Sequence, residues 1–142
     1  MTENVGMPGE NGAAPPCTVL IVEDSDHNAA TLEIAALDIP GVAVRIAASG
    51  VEALEILADL RHPVQAVITD LNMPRMDGFE LIRRIRADGR SNATPIIVVS
   101  ADTDPATPQR IESLGADAFF AKPFSPAQVR RKLEQLLHVA SG

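Results

Sequence analysis

Five short apolar runs punctuate the chain: Val19-Leu20-Ile21-Val22, Val42 to Ile46, Ala66-Val67-Ile68, Ile96-Ile97-Val98-Val99 and Ala118-Phe119-Phe120. Four of them are nearly unbroken rather than alternating, which is how strands buried on both faces of a parallel sheet read. The segments between them carry apolar residues at helical spacing, several with start signals. Ser49-Gly50-Val51-Glu52 has the form of a capping box, and Asp77-Gly78-Phe79-Glu80 is its acidic variant. Ser125-Pro126 places proline at a first helical position, with Phe124 and Val129 set to pack across the cap. The helix that follows is predicted to bury Val129, Leu133, Leu136 and Leu137 and to leave Arg130, Arg131 and Lys132 solvated.

The predicted order is therefore βαβαβαβαβα, an α/β class. Right-handed crossovers place helices on both sides of a parallel sheet. Five strands in this pattern favour the flavodoxin-like (βα)5 doubly wound arrangement, strand order 2-1-3-4-5. The segment DTDPATPQRIESLG is the irregular one, with prolines at 105 and 108. A start at Asp104-Pro105 would put Pro108 inside the helix, where proline costs about 3 kcal/mol. A start at Thr107-Pro108, with Thr107 as N-cap, leaves only about two turns before Gly115. A short or frayed fourth helix is predicted, preceded by a mobile loop from Ala101 to Ala106.

Composition narrows the picture. With 142 residues and 46% hydrophobic content, the chain suits one domain with a single core. A net charge of −7 argues against a nucleic-acid surface. The single cysteine, Cys17, excludes an internal disulfide and fits a reducing, cytoplasmic setting. No apolar stretch is long enough to span a bilayer, and no secretory signal is evident. Residues 1–16, rich in Gly, Pro and Ala, read as a disordered tail or linker, leaving 17–142 as the domain.

In such a sheet, ligands bind beyond the carboxyl ends of the strands, at the switch point between strands 1 and 3. There strand 1 runs out into Glu23-Asp24, strand 3 into Asp70, strand 4 into Ser100 and strand 5 into Lys122. Taken singly, each has an ordinary explanation as a cap, a turn residue or a surface charge. Jointly they form a pattern, because the polar ends belong to the strands near the switch point. Three carboxylates converging at about 4 Å would each repel by roughly 4 kcal/mol per pair at an effective dielectric near 20. A hard divalent cation relieves that, and carboxylates with waters are the usual Mg²⁺ environment. A lysine and a hydroxyl opposite could hold a transferring phosphoryl group, with Asp70 as the nucleophile.

IVEDS, ITDLNMPRMDG, VVSAD and AKPF, in this order and spacing, resemble the receiver domain of two-component response regulators over roughly residues 17–139. The resemblance implies that Asp70 is the phosphoacceptor and that Mg²⁺, with Mn²⁺ an alternative, is held by Asp24, Asp70 and the Asn72 backbone carbonyl. Glu23 would act mainly through water. Ser100 would follow the phosphoryl group, Lys122 would pair with it, and Phe119 would turn inward on activation. Asn72 and Asp102 match positions that tune the lifetime, and the Lys122–Pro123 bond is implied to be cis. Pro74 and Gly78 shape the acceptor loop. Glu23 stands where Asp is more usual, Ser100 where Thr is frequent, and Phe119 lacks the hydroxyl of a tyrosine.

The implied partner is a histidine kinase or histidine phosphotransfer protein, with output through the fourth helix, fifth strand and fifth helix. The implied role is signalling rather than enzymatic turnover, by a stand-alone receiver or a piece of a longer protein. Other readings fit less well. A phosphatase of the haloacid-dehalogenase type wants a second Asp where Asn72 stands. An FMN-binding module wants a phosphate cradle where this chain has Glu23-Asp24-Ser25-Asp26. A partner-binding domain without phosphoryl chemistry would not need the acid cluster and Lys122. His27 and His62 lack a second nitrogen or sulfur ligand at useful spacing, and His138 reads as a surface residue.

Overall fold

The structure, a computed structural model, describes residues 17–141. The predicted tail, residues 1–16, lies outside the described residues, as does Gly142. Ten elements alternate along the chain: β1 (Cys17–Val22), α1 (Asp26–Leu37), β2 (Val42–Ala47), α2 (Gly50–Ala58), β3 (Ala66–Thr69), α3 (Gly78–Ala87), β4 (Ile96–Ser100), α4 (Thr107–Leu114), β5 (Ala118–Ala121) and α5 (Pro126–Ser141). The strands form one parallel sheet in the order β2-β1-β3-β4-β5. Class and strand order are those predicted. Among the described residues, no helix is long and apolar enough to cross a membrane.

Alternate residues of each strand enter opposite cores, which is why the runs are unbroken rather than alternating. Leu20, Val22, Val67, Ile96 and Val98 meet Leu81, Ile82, Ile85 and Ile111 on the face covered by α2, α3 and α4. Val19, Ile21, Ile68, Ile97 and Val99 meet Leu32, Ala36, Val129 and Leu133 on the face covered by α1 and α5. With both faces closed, the sheet presents its chemistry only at its ends.

The caps form with two deviations. Ser49 Oγ accepts from the Glu52 N–H at 3.1 Å. The Glu52 carboxylate accepts from the Ala48 N–H at 2.8 Å, one residue short of the reciprocal bond of a capping box. Asp77 accepts from the Glu80 N–H at 2.9 Å, but the Glu80 carboxylate turns away to Arg83 and Arg84. At α5, Ser125 Oγ accepts from the Gln128 N–H at 3.2 Å, and Phe124 and Val129 share one core. Val129 and Leu133 are fully buried, whereas Arg130 is half-buried beside Asp38.

Helix α4 is short, as predicted, with eight residues ended by Gly115 in the left-handed region (φ 107°). Its start corrects one expectation. Thr107 is the first helical residue, not the N-cap; Ala106 holds that place and offers no capping side chain. The Thr107 hydroxyl is engaged elsewhere, donating to Asp102 Oδ2 at 3.1 Å. The loop expected to be mobile also has hydrogen bonds of its own. Asp102 Oδ1 accepts from the Asp104 N–H at 2.8 Å, and Asp104 Oδ1 from the Ala106 N–H at 2.9 Å. The Lys122–Pro123 peptide bond is cis, as the resemblance implies.

Candidate functional site

Sheet hydrogen bonding continues one residue past the strand ends and fixes two of the acids. The Glu23 N–H donates to the Ala47 carbonyl at 3.0 Å, and the Asp70 N–H to the Val22 carbonyl at 3.1 Å. Their side chains are nearly closed to solvent, at 1% and 7% exposure, and both face Lys122. Lys122 Nζ donates to Glu23 Oε1 and to Asp70 Oδ2, each at 2.9 Å. Burial pulls the Lys122 pKa down, but the hydrogen bonds to Glu23 and Asp70 outweigh it and raise the pKa, so the group is a fixed cation. The other oxygen of Asp70 accepts from the Leu71 N–H at 2.6 Å and the Asn72 N–H at 3.3 Å. Glu23 Oε2 accepts from the Ser25 N–H at 3.1 Å, at the start of α1.

Asp24 is different: it is exposed, and its carboxylate has no hydrogen-bond or ion-pair partner among the described residues. Ligand oxygens of Glu23, Asp24 and Asp70 all lie within 4.8 Å of one another. This donor set is all oxygen, carries an unshared carboxylate on its solvent side, and has one ammonium against three carboxylates. Such a set fits a hard divalent cation that keeps part of its water shell. None of the three histidines belongs to a metal-capable cluster among the described residues.

The loop after Asp70 is shaped by a close backbone approach. A Cβ on Gly78 would lie 2.3 Å from the Asp70 carbonyl oxygen and 2.7 Å from Leu71 Cα. Only glycine permits the Gly78 N–H to reach the Leu71 carbonyl at 2.9 Å. Arg75, at φ 71°, turns the loop in the left-handed region between Pro74 and Met76. Met73 is buried, and Met76 packs at the edge of the same core.

Ser100 is fully buried at the end of β4, next to β5, where its carbonyl accepts from the Lys122 N–H at 2.8 Å. Its hydroxyl accepts from the Asp102 N–H at 3.1 Å and makes no hydrogen bond to Asp70. The structure thus brings Glu23, Asp24, Asp70 and Lys122 into direct contact or near it, with Asn72 exposed on the loop after Asp70. Phe119 is half-buried beside α4, lining a cavity of about 470 Å³ with Pro108, Ile111 and Ala118.

Three residues have roles in the structure that the sequence reading does not assign. Buried Thr69 donates its hydroxyl to the Asp70 carbonyl at 2.8 Å, and the signal was a lone hydroxyl ending an apolar run. Thr107 was read as a cap and is a side-chain partner of Asp102. Arg86, on α3, donates to the carbonyls of Gly115 and Thr94 and pairs with Asp117, joining segments far apart in the chain.

The arrangement supplies a held carboxylate, an adjacent cation, an acid pair suited to a metal, and a buried hydroxyl nearby. The family model described as the response regulator receiver domain matches residues 19–134. A chemotaxis protein CheY homolog of Campylobacter jejuni subsp. jejuni is 37% identical over 93 residues, 66% of this chain and 71% of the relative. Response regulator MprA of a Mycobacterium species is 34% identical over 128 residues, 89% of this chain and 53% of the relative. Among solved structures, the chemotaxis response regulator CheY4 of Vibrio cholerae is similar at TM-score 0.75 and 31% identity, over 85% of this chain and 98% of that one. A response regulator receiver protein from Pseudomonas putida gives TM-score 0.73 and 33% identity, over 89% and 98%.

Proposed function

The chain belongs to the response regulator receiver family, and on that premise we propose that Asp70 accepts a phosphoryl group from a phosphohistidine of a kinase or phosphotransfer protein. A lone pair of the Asp70 carboxylate forms the O–P bond, the P–N bond breaks, and its electron pair leaves with the imidazole. The observation that carries this reading is the Lys122 ammonium, which bridges Asp70 and Glu23 at 2.9 Å each beside the unshared carboxylate of Asp24. Lys122 is placed to follow the phosphoryl oxygens as charge builds on them. Leu71 and Asn72 N–H groups orient the nucleophile from the other side.

Asp24, Asp70, Glu23 and the Asn72 carbonyl would hold Mg²⁺ or Mn²⁺. When bound, the cation neutralises phosphoryl oxygens and screens the incoming group from the acids. Ser100 and Phe119 are read as the switch, changing the surface of α4, β5 and α5 for a downstream protein. Asn72 and Asp102 are read as setting the lifetime of the acyl phosphate. The proposed setting is cytoplasmic, and the role is a signalling phosphoacceptor.

Incubation with Mg²⁺ and acetyl phosphate, followed by intact-mass measurement, tests this. The expected result is a gain of one phosphoryl group, absent in Asp70→Asn. No gain in the wild type, or an equal gain in the variant, overturns the assignment. Mg²⁺ titration without donor separates the metal: Asp24→Asn is expected to lose binding and Glu23→Asp to keep it.

A further inference from the structure

At the root of α4, hydrogen bonds run from the proposed switch residue into the output helix. The Ser100 hydroxyl accepts from the Asp102 N–H at 3.1 Å. Both oxygens of the Asp102 carboxylate are then engaged, Oδ1 by the Asp104 N–H at 2.8 Å and Oδ2 by the Thr107 hydroxyl at 3.1 Å. Thr107 also donates its own N–H to the Asp104 carbonyl at 3.1 Å, closing the loop on itself. Thr107 is 3% exposed and, with Ile111, is one of the two buried residues of α4. Because Ala106 contributes no cap, the Asp102–Thr107 contact is the side-chain bond made by the first helical residue.

The geometry opposes the movement that signalling needs. The Ser100 hydroxyl can follow a phosphoryl group only by leaving the Asp102 N–H or by drawing the loop with it. Either course strains Asp102, whose carboxylate is fixed to a buried anchor. We propose that Thr107, acting through Asp102, is a positioning residue that holds the Ser100 hydroxyl and the first turn of α4 in one resting arrangement. The root of the output helix thereby sets how readily the site takes up a phosphoryl group. The proposal rests on the reading of Asp70 as phosphoacceptor, and it reverses the expectation of a loose resting loop that phosphorylation orders.

Thr107→Val keeps the shape and removes the donor; Thr107→Ser restores the donor. Both are compared with wild type in the full chain by two measurements. One is amide exchange of residues 102–110 without phosphodonor; the other is the rate of Asp70 phosphorylation by acetyl phosphate with Mg²⁺. Thr107→Val is expected to exchange faster and to be phosphorylated roughly threefold to tenfold faster, the effect of about one net hydrogen bond. Thr107→Ser is expected to return both toward wild type. A faster exchange with an unchanged or slower phosphorylation rate makes Thr107 a structural clasp only and overturns the proposal, as does a Ser variant that behaves like Val. In both of those cases wild type still takes up a phosphoryl group on Asp70, so the receiver reading survives. Absence of that uptake in wild type removes the receiver reading, and the proposal with it.

Discussion

Helices α3 and α4 follow the two strands whose ends carry Asp70 and Ser100, yet they are rooted in different ways. Helix α3 starts on a side-chain cap from Asp77, and its first residue, Gly78, lies against the backbone of Asp70 and Leu71. It buries Leu81, Ile82 and Ile85 completely, each worth about 1.5–3 kcal/mol in transfer terms. Helix α4 has no side-chain cap and buries one large aliphatic residue, Ile111. Beyond a partly buried Leu114, its other ties are polar: Thr107 to Asp102, Arg86 to the Gly115 carbonyl, and Arg110 over the Phe79 ring. The difference fits the proposed division of labour, with α3 as frame and α4 as the part that responds. Helix α3 pins the loop after Asp70 through Gly78, while α4 rests on contacts that can be exchanged at lower cost.

The largest expected effect tests the frame. In Gly78→Ala, the new Cβ would sit 2.3 Å from the backbone oxygen of Asp70, which has no rotamer with which to yield. A loss of about 3 kcal/mol or more in urea unfolding is expected, with slower phosphorylation of Asp70 in the folded fraction. A loss below about 1 kcal/mol would mean that the root of α3 can shift, and the contrast with α4 would collapse.

Arg86→Met comes next. The guanidinium donates to the Gly115 carbonyl at 3.0 and 2.8 Å and to the Thr94 carbonyl at 2.7 Å. Methionine keeps much of the stem but leaves those carbonyls without a donor. Burial lowers the Arg86 pKa while the Asp117 charge opposes it, and the group remains a cation. A loss of about 2 kcal/mol is expected, with faster amide exchange in residues 107–115 and little change in 78–87. Equal acceleration in both helices would show them to be one unit.

Arg86 also marks where the sequence stopped being legible. The strands, their order and the acids at their ends could be read because each depends on local pattern or on a general rule for parallel sheets. Glu23, Asp24, Asp70 and Lys122 were found this way, and the structure brings them together. Arg86 touches residues 29 and 31 positions away, and nothing in its helical surroundings distinguishes it from Arg83 or Arg84 on the solvated side. The start of α4 failed for another reason. Thr107 before Pro108 has the form of an N-cap, but Thr107 is drawn into the first helical turn with its hydroxyl on the Asp102 carboxylate, and Ala106 holds the cap position. A contact five residues back in the loop outweighed the capping preference.

Asp77→Ala is a milder challenge to the frame. It removes the 2.9 Å bond to the Glu80 N–H and is expected to cost about 1 kcal/mol, the usual worth of an N-cap. Phosphorylation should persist, because Gly78 still anchors the helix to the Leu71 carbonyl at 2.9 Å.

The smallest effect is the most informative about α4. Arg110 Cζ lies 3.8 Å from the centroid of the Phe79 ring, so a cation from α4 rests on the first turn of α3. Arg110 is exposed, and water competes for its charge, which limits the contact to about 0.5–1 kcal/mol. Arg110→Leu alone would mix this loss with a change in surface charge and helix propensity, so a double-mutant cycle with Phe79→Leu is the proper measurement. A coupling of about 0.5 kcal/mol is expected in the unphosphorylated protein. The useful comparison is with Arg86, which reaches the other way, from the end of α3 to the carbonyl that closes α4. If α4 pivots at its root on phosphorylation, the Arg110–Phe79 coupling near that root should fall toward zero while the stability contribution of Arg86 is retained. Loss of both together would mean that α4 leaves α3 as a whole. Persistence of both would make α4 as fixed as α3, contrary to the contrast in their burial.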